Sequence, residues 1–264
     1  SGSAHVALGG QLARLAHARV TILGYGLRAE SLQQHLQEAK EKLGSGLASL
    51  DIRTTPDSLA TAVALESERQ PYDLVVLDFP PEEGVTLAKQ ALQSGDHHVL
   101  LAPRATVAQT PTRALICVTG GEPGKQDVLF AGRLVRHLGA EATLLSVIPG
   151  AKSDPGLRAR AERFLASGVR TLDLLGVPAK TVIGSGPVHD EIIQQMQAGG
   201  HDLLVLGAPL ADRDGRVSLS GVVGQVLNEA TGYPVLIVRS HYPASPAPQL
   251  RLAGRINIVE EIIP

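Results

Sequence analysis

At 264 residues the chain has room for one large domain or two small ones, and 44% hydrophobic against 19% charged residues is a core-forming composition. A net charge of −2 excludes an electrostatic drive toward nucleic acid or an anionic membrane, and 3% aromatic residues with no Trp argue against a base-stacking surface. A single cysteine, Cys117, excludes an intramolecular disulfide and a cysteine metal cluster.

No apolar run approaches the roughly 20 residues that span a bilayer, and no signal peptide is visible, so a cytoplasmic location without membrane insertion is expected. Met196 is the only methionine, so Ser1 reads as a trimmed start or the cut end of a longer chain.

In chain order, Gly10 to Ala18 reads as a helix with Leu12, Leu15 and Ala16 on one face. Val20 to Leu23 is a short strand closed by Gly24 and Gly26. Ser31 is an N-cap candidate for a helix to Leu43. Leu47 to Arg53 is strand-like, and Pro56-Asp57 opens a helix to Gln70. Leu74 to Leu77 is a continuous apolar run, the mark of a strand buried on both faces of a parallel sheet. Helix Val85 to Gln93 and strand Val99 to Ala102 follow, and Pro103 to Pro111 is a connector.

The pattern then begins again. Ala114 to Val118 is a strand, with Cys117 expected as a buried small hydrophobe. Thr119 to Lys125 reads as a Gly/Pro-rich loop and Asp127 to Leu138 as a helix. Strand Thr143 to Ile148, helix Gly156 to Gly176 and strand Ala179 to Ile183 come next. Pro187 stands where a first helical residue belongs, with Asp190 and Glu191 in the first turn. Strand Leu203 to Leu206 ends at Gly207. After a polar segment, Gly221 opens the helical pattern Val222, Val223, Val226, Leu227, and Pro234 leads into strand Val235 to Val238. Strands alternating with helices mean parallel α/β architecture.

The halves repeat each other. Asp73-Leu-Val-Val-Leu77 matches Asp202-Leu-Leu-Val-Leu206, His98 to Leu101 matches Pro234 to Ile237, and Arg14 to Leu23 matches Arg136 to Leu145, in the same order. The first half lacks a counterpart of the strand Ala114 to Val118 at its start.

Three stretches carry a family resemblance: Ala114 to Ile148, Gly184 to Gly207, and the loop with its PVLIVR ending. On these, residues 112–240 resemble the universal stress protein family, and the first half resembles it weakly. The resemblance implies a tandem: a degenerate domain over 1–110, a fuller domain over 111–240, and a linker and tail strand over 241–264. Each domain is expected as a Rossmann-like, adenine nucleotide alpha hydrolase-like sheet of five parallel strands in the order 3-2-1-4-5. The resemblance further implies an intramolecular pseudo-dimer through Val99–Ala102 and Val235–Val238, and it admits a homodimer.

Many members of that family bind ATP through Gly, two residues, Gly, nine residues, then Gly-Ser or Gly-Thr. Gly207 fills the first place, Leu210 stands at the second glycine, and Ser220-Gly221 occupies the final pair in reversed order. The family's acidic residue after the first strand is Thr119 here. The resemblance therefore assigns a nucleotide pocket to Thr119, Gly120, Val147, Gly207, Leu210, Ser220, Gly221 and Val222. Leu210 adds bulk where backbone should approach phosphate. Retained binding of ATP or AMP and a degenerate, nucleotide-free pocket both remain open. In the first half, Asp78 stands in place of Gly207 and is followed by Pro80-Pro81-Glu82-Glu83, which repels phosphate and removes N–H donors.

Other candidates read as structural. His97-His98 point to opposite faces of a strand and cannot chelate together. His189-Asp190-Glu191 reads as helix-start capping. Gly184-Ser185-Gly186 lacks the spacing of a nucleophile elbow. Lys125, Arg213 and Arg216 read as solvated loop charges, and no metal cluster is expected.

The tail is Pro-rich after Ser240, and Arg255 to Ile263 reads as a strand or short helix. Ile256 to Val259 is expected to fill the missing central strand of the first half, as a permuted strand or by exchange between chains. Asn257 counts against that placement. Residues 241–254 can span about 46 Å when extended, so reach does not limit it. The expected function is a non-catalytic stress or signalling module with an adenine-nucleotide pocket in its second half. The alternatives are a cytoplasmic regulatory domain of a membrane transporter and a nucleotide-hydrolysing enzyme.

Overall fold

The structure is a computed structural model that describes residues 4–26, 37–80, 82–103, 110–118, 122–150, 155–208, 216–230, 232–239 and 255–261. The chain divides into two compact units. One comprises Ser1–Thr110 with Ala211–Val217 and Pro248–Pro264; the other comprises Pro111–Leu210 and Ser218–Ala247. No helix among the described residues is long and apolar enough to cross a membrane.

The first unit runs α1 (Ala4–Leu15), β1 (Arg19–Tyr25), helical residues 37–43 (α2), β2 (Ser49–Thr55), α3 (Leu59–Arg69), β3 (Leu74–Phe79), α4 (Gly84–Gln93) and β4 (His98–Pro103). Helix α1 starts earlier than its apolar pattern suggests, because Val6 and Leu8 are buried along with Leu12 and Ala13. It ends at Leu15, and the chain turns away at His17, whose φ of 49° is left-handed. Ser58 caps α3, its side chain accepting from the Thr61 N–H.

The tail forms strand β10 (Arg255–Glu261), numbered after the strands of the second unit. The first unit's strand order is β2-β1-β10-β3-β4, and all its pairings are parallel. The tail thus occupies the central slot that the sequence left empty. Ile256 pairs with Val20 on one side and Leu74 on the other. Asn257 sits between Thr21 and Val75 in register, so its low strand propensity is overridden by two flanking ladders.

The second unit runs β5 (Arg113–Cys117), α5 (Glu122–Leu138), β6 (Glu141–Ile148), α6 (Pro155–Leu174), β7 (Ala179–Ser185), α7 (Val188–Ala198), β8 (Leu203–Gly207), α8 (Val222–Glu229) and β9 (Val235–Val238). Its strands order as β7-β6-β5-β8-β9, again all parallel. This is the 3-2-1-4-5 order expected from the resemblance. Several boundaries differ from the sequence reading, most by one or two residues, and two have a clear cause. Helix α5 begins at Glu122, because Pro123 in a first turn lacks only an N–H that has no partner there anyway. Pro187 is the N-cap of α7 and not its first helical residue.

The two units start their central strands alike. In the second unit Asp202 accepts hydrogen bonds from the Thr112 N–H (2.9 Å) and the Arg113 N–H (2.7 Å). In the first, Asp73 accepts from the Arg255 N–H (2.8 Å). The repeat seen as Asp73-Leu and Asp202-Leu is therefore a shared device that fixes where the central strand begins. Ile256 pairs with β1 and β3 at the levels where Ala114 pairs with β6 and β8.

A buried polar cluster lies under α3 in the first unit. The Tyr72 hydroxyl is 2.7 Å from Glu66 Oε1 and 2.8 Å from Thr21 Oγ1. Glu66 is 2% exposed and also meets Arg53 Nε at 3.2 Å. A buried carboxylate persists only with such partners. Burial pushes the Tyr72 hydroxyl up to about 12; the Thr21 hydrogen bond pulls the other way and Glu66 adds to the rise.

Candidate functional site

In the second unit the chain winds outward from β5 through β6 to β7, then returns to β8 on the other side of β5. The carboxyl ends of β5 and β8 therefore flank a topological switch point, where open α/β sheets leave a crevice. Ile116 pairs with Val205, and Cys117 pairs with Leu145. The Val118 N–H continues the ladder to the Leu145 carbonyl at 2.9 Å. Gly207 thus ends β8 close to the level of Val118 and Ser146.

Gly207 is held by pairing with Val238 and by the Ala208 N–H bonding the Val238 carbonyl at 2.7 Å. A Cβ on Gly207 would lie 2.4 Å from Asp127 Oδ2. The glycine is thus required for close packing of a carboxylate from α5. Asp127 is 6% exposed and sits in the second turn of α5, not at the helix start that the sequence suggested. Sequence reasoning missed its part in the site. The available signal was an acidic residue beside Val128, which is on the buried stripe of the helix.

Residues 208–221 separate β8 from α8. Gly221 is the N-cap of α8, with no side-chain cap hydrogen bond, and a Cβ there would meet nothing within 4 Å. The first amides of α8 thus lie behind an open position, and such amides favour an anion. The Ser218 and Ser220 hydroxyls are 2.8 Å apart and hydrogen-bond each other. Gly224 is pressed against the Leu219 carbonyl, which a Cβ would approach to 1.8 Å. That contact sets the path of the chain into the helix. Val222, the first residue of α8, is 37% exposed.

Val147 lies near the end of β6 and lines a cleft of about 210 Å³ with Ser146, Ile148, Pro149, Leu157 and Arg160. The cleft is mainly apolar. Its polar members, Ser146 and Arg160, were not singled out from the sequence. Thr119, Gly120 and Leu210 lie outside the described residues, as do Arg213 and the Ser31 cap. Burial pushes the Cys117 thiol pKa up, so it stays protonated at neutral pH even though the residue keeps some surface exposure.

The equivalent place in the first unit is built differently. Only residues 80–83 separate β3 from α4, and the Glu83 and Gly84 N–H groups both turn back to the Pro80 carbonyl. The Asp78 carboxylate accepts from the Phe79 N–H at 3.0 Å, and Phe79 packs against Gly84. No group of three or more His, Cys, Asp or Glu able to hold a metal is found among the described residues. His97 is buried, its Nε2 2.9 Å from the Ala91 carbonyl, while His98 begins β4. His189 Nε2 meets Asp190 Oδ1 at 2.9 Å rather than capping α7.

Residues 111–239 match the sequence model of the universal stress protein family. Over these residues, which make up the second unit, the chain belongs to that family. Two solved universal stress proteins share the fold over both halves. One is a putative universal stress protein from Pseudomonas aeruginosa UCBPP-PA14, with a TM-score of 0.60 and 19% identity, covering 87% of this chain and 86% of that one. The other is from Archaeoglobus fulgidus DSM 4304, with a TM-score of 0.57 and 13% identity, covering 88% and 91%. No curated protein matches the sequence. Residues 208–221 connect β8 to α8 in the second unit, and residues 80–83 connect β3 to α4 at the counterpart in the first.

Proposed function

We propose that the chain is a non-catalytic stress or signalling module whose second unit takes one adenine nucleotide at the carboxyl ends of β5 and β8. The observation that carries this is the contrast between the two units. In the second, residues 208–221 lead to the N-terminus of α8, where Gly221 makes no side-chain cap and, among the described residues, a Cβ would meet nothing within 4 Å; in the first, the chain passes from β3 to α4 through the turn 80–83. A phosphate needs free N–H donors and space for close backbone approach. Ser220 and Gly221, ahead of the first amides of α8, support this, and Val222 starts the helix behind them; Gly207 ends β8 with Asp127 packed on it, and Val147 lines the cleft with Leu157 and Arg160.

The non-catalytic part of the reading is supported by the Ser218 and Ser220 hydroxyls, whose partner among the described residues is each other.

The test is a thermal-shift series with ATP, AMP and cyclic nucleotides on the unsubstituted chain and on Gly207→Val. A rise in melting temperature with AMP that Gly207→Val abolishes supports the reading. No shift with any nucleotide refutes it. Release of phosphate from ATP by the unsubstituted chain, lost in Ser220→Ala, would replace it with the hydrolase reading.

A further inference from the structure

Strand β10 completes the first unit although it follows the second in the chain. Its described contacts are with residues of the Ser1–Thr110 segment. It pairs with β1 along seven positions, Arg19 to Tyr25, and with β3 at Leu74 to Val76. The seat reads the sequence of the strand. The Asp73 carboxylate takes the Arg255 N–H, the Asp73 N–H bonds the Arg255 carbonyl at 3.0 Å, and Arg255 Nη1 lies 3.3 Å from Gln70 Oε1. Ile256, Ile258 and Val259 are 5% exposed or less. Ile258 is admitted because position 9 is glycine: a Cβ on Gly9 would lie 2.9 Å from Ile258 Cδ1.

None of these contacts depends on which chain the strand comes from. The tail enters the seat after the whole second unit, through a stretch between Val238 and Arg255 that contains Pro243, Pro246 and Pro248. Proline-rich segments favour extended chain and oppose a tight return. Exchange of an identical element between copies returns every contact it breaks, so the equilibrium is set by the connector and the concentration. An empty central slot would leave the N–H and C=O groups of β1 and β3 without partners, which drives the seat to take a strand from whichever chain offers one.

We propose that the slot between β1 and β3 accepts the tail strand of a second copy of this chain, so that two copies pair by exchanging β10. This is independent of the nucleotide reading, since every residue it uses lies in the first unit or the tail.

Register partners make the exchange directly visible. Tyr25 and Glu261 pair across β1 and β10. One chain carries Tyr25→Cys and another Glu261→Cys, both with Cys117→Ser. The two are mixed, unfolded, refolded together at rising concentration and oxidised. Exchange predicts a covalent heterodimer on a non-reducing gel whose yield rises with concentration and vanishes when the second chain also carries Ile258→Asp. If the mixture stays unlinked while a single chain bearing both cysteines closes its own bridge, the proposal is overturned.

Complementation gives a second readout without new cysteines. An Ile258→Asp chain has a spoiled tail, and a Gly9→Leu chain has a blocked seat but an intact tail. On mixing, hydrogen exchange at the amides of β1 in the Ile258→Asp chain slows by about tenfold or more if the intact tail crosses over. Unchanged exchange on mixing counts against the proposal as decisively as the unlinked gel.

Discussion

Replacing Gly224 by alanine sets two effects of opposite sign against each other. Alanine inside a helix is favoured over glycine by about 1 kcal/mol. In α8, however, the added Cβ would lie 1.8 Å from the Leu219 carbonyl oxygen, a backbone atom that cannot swing aside as a side-chain tip can. The segment ahead of the helix must move by more than an ångström, and forcing atoms into occupied space costs about 1–3 kcal/mol or more. The clash wins, and we expect a net loss of about 2 kcal/mol. Urea unfolding followed by circular dichroism measures it as a lower midpoint at unchanged slope. Gly221→Ala, where a Cβ meets nothing within 4 Å, should stay within about 0.5 kcal/mol of the unsubstituted chain. A Gly224→Ala chain as stable as the original, or more so, would refute the packing argument and with it the described path of residues 219–221 into α8.

Tyr72 carries a stability change at high pH. Its folded pKa is raised from 10.0 to about 12, so above pH 10 the unfolded chain releases this proton while the folded chain holds it. Stability therefore falls between pH 10 and pH 12, by about 2–3 kcal/mol in total. In Tyr72→Phe this share of the alkaline loss disappears, measured as the difference between the two pH profiles of unfolding; parallel profiles would contradict the buried setting of the hydroxyl. Asp202→Ala removes the acceptor of the Thr112 and Arg113 amides, an exposed site, and should cost about 1–2 kcal/mol in urea unfolding. A loss below about 0.3 kcal/mol would mean that the central strand does not need the clamp.

The sequence carried the fold well because its strands are fully buried. Leu74–Leu77 and Leu203–Leu206 are apolar without alternation, and each follows an aspartate, so the repeat and the parallel sheet could both be read from those residues. The tail strand was legible by default: a parallel sheet with an empty centre is costly, and Ile256–Val259 was the apolar segment left over. Helix starts were less legible. Pro123 and Gly124 look like loop residues, yet a first turn accommodates them. The site was harder still. Gly207 shows in sequence only that no side chain fits, not that the Asp127 carboxylate from α5 fills the space. The cleft around Val147 draws Leu157 and Arg160 from a helix that begins seven or more residues later, a contact that no local pattern encodes.

Isothermal titration calorimetry with AMP on the full chain tests the central claim most directly. With a nucleotide held at the second unit alone, the account predicts saturable binding of one AMP per chain, lost in Gly207→Val. No heat with AMP, or two equivalent sites per chain, would contradict it.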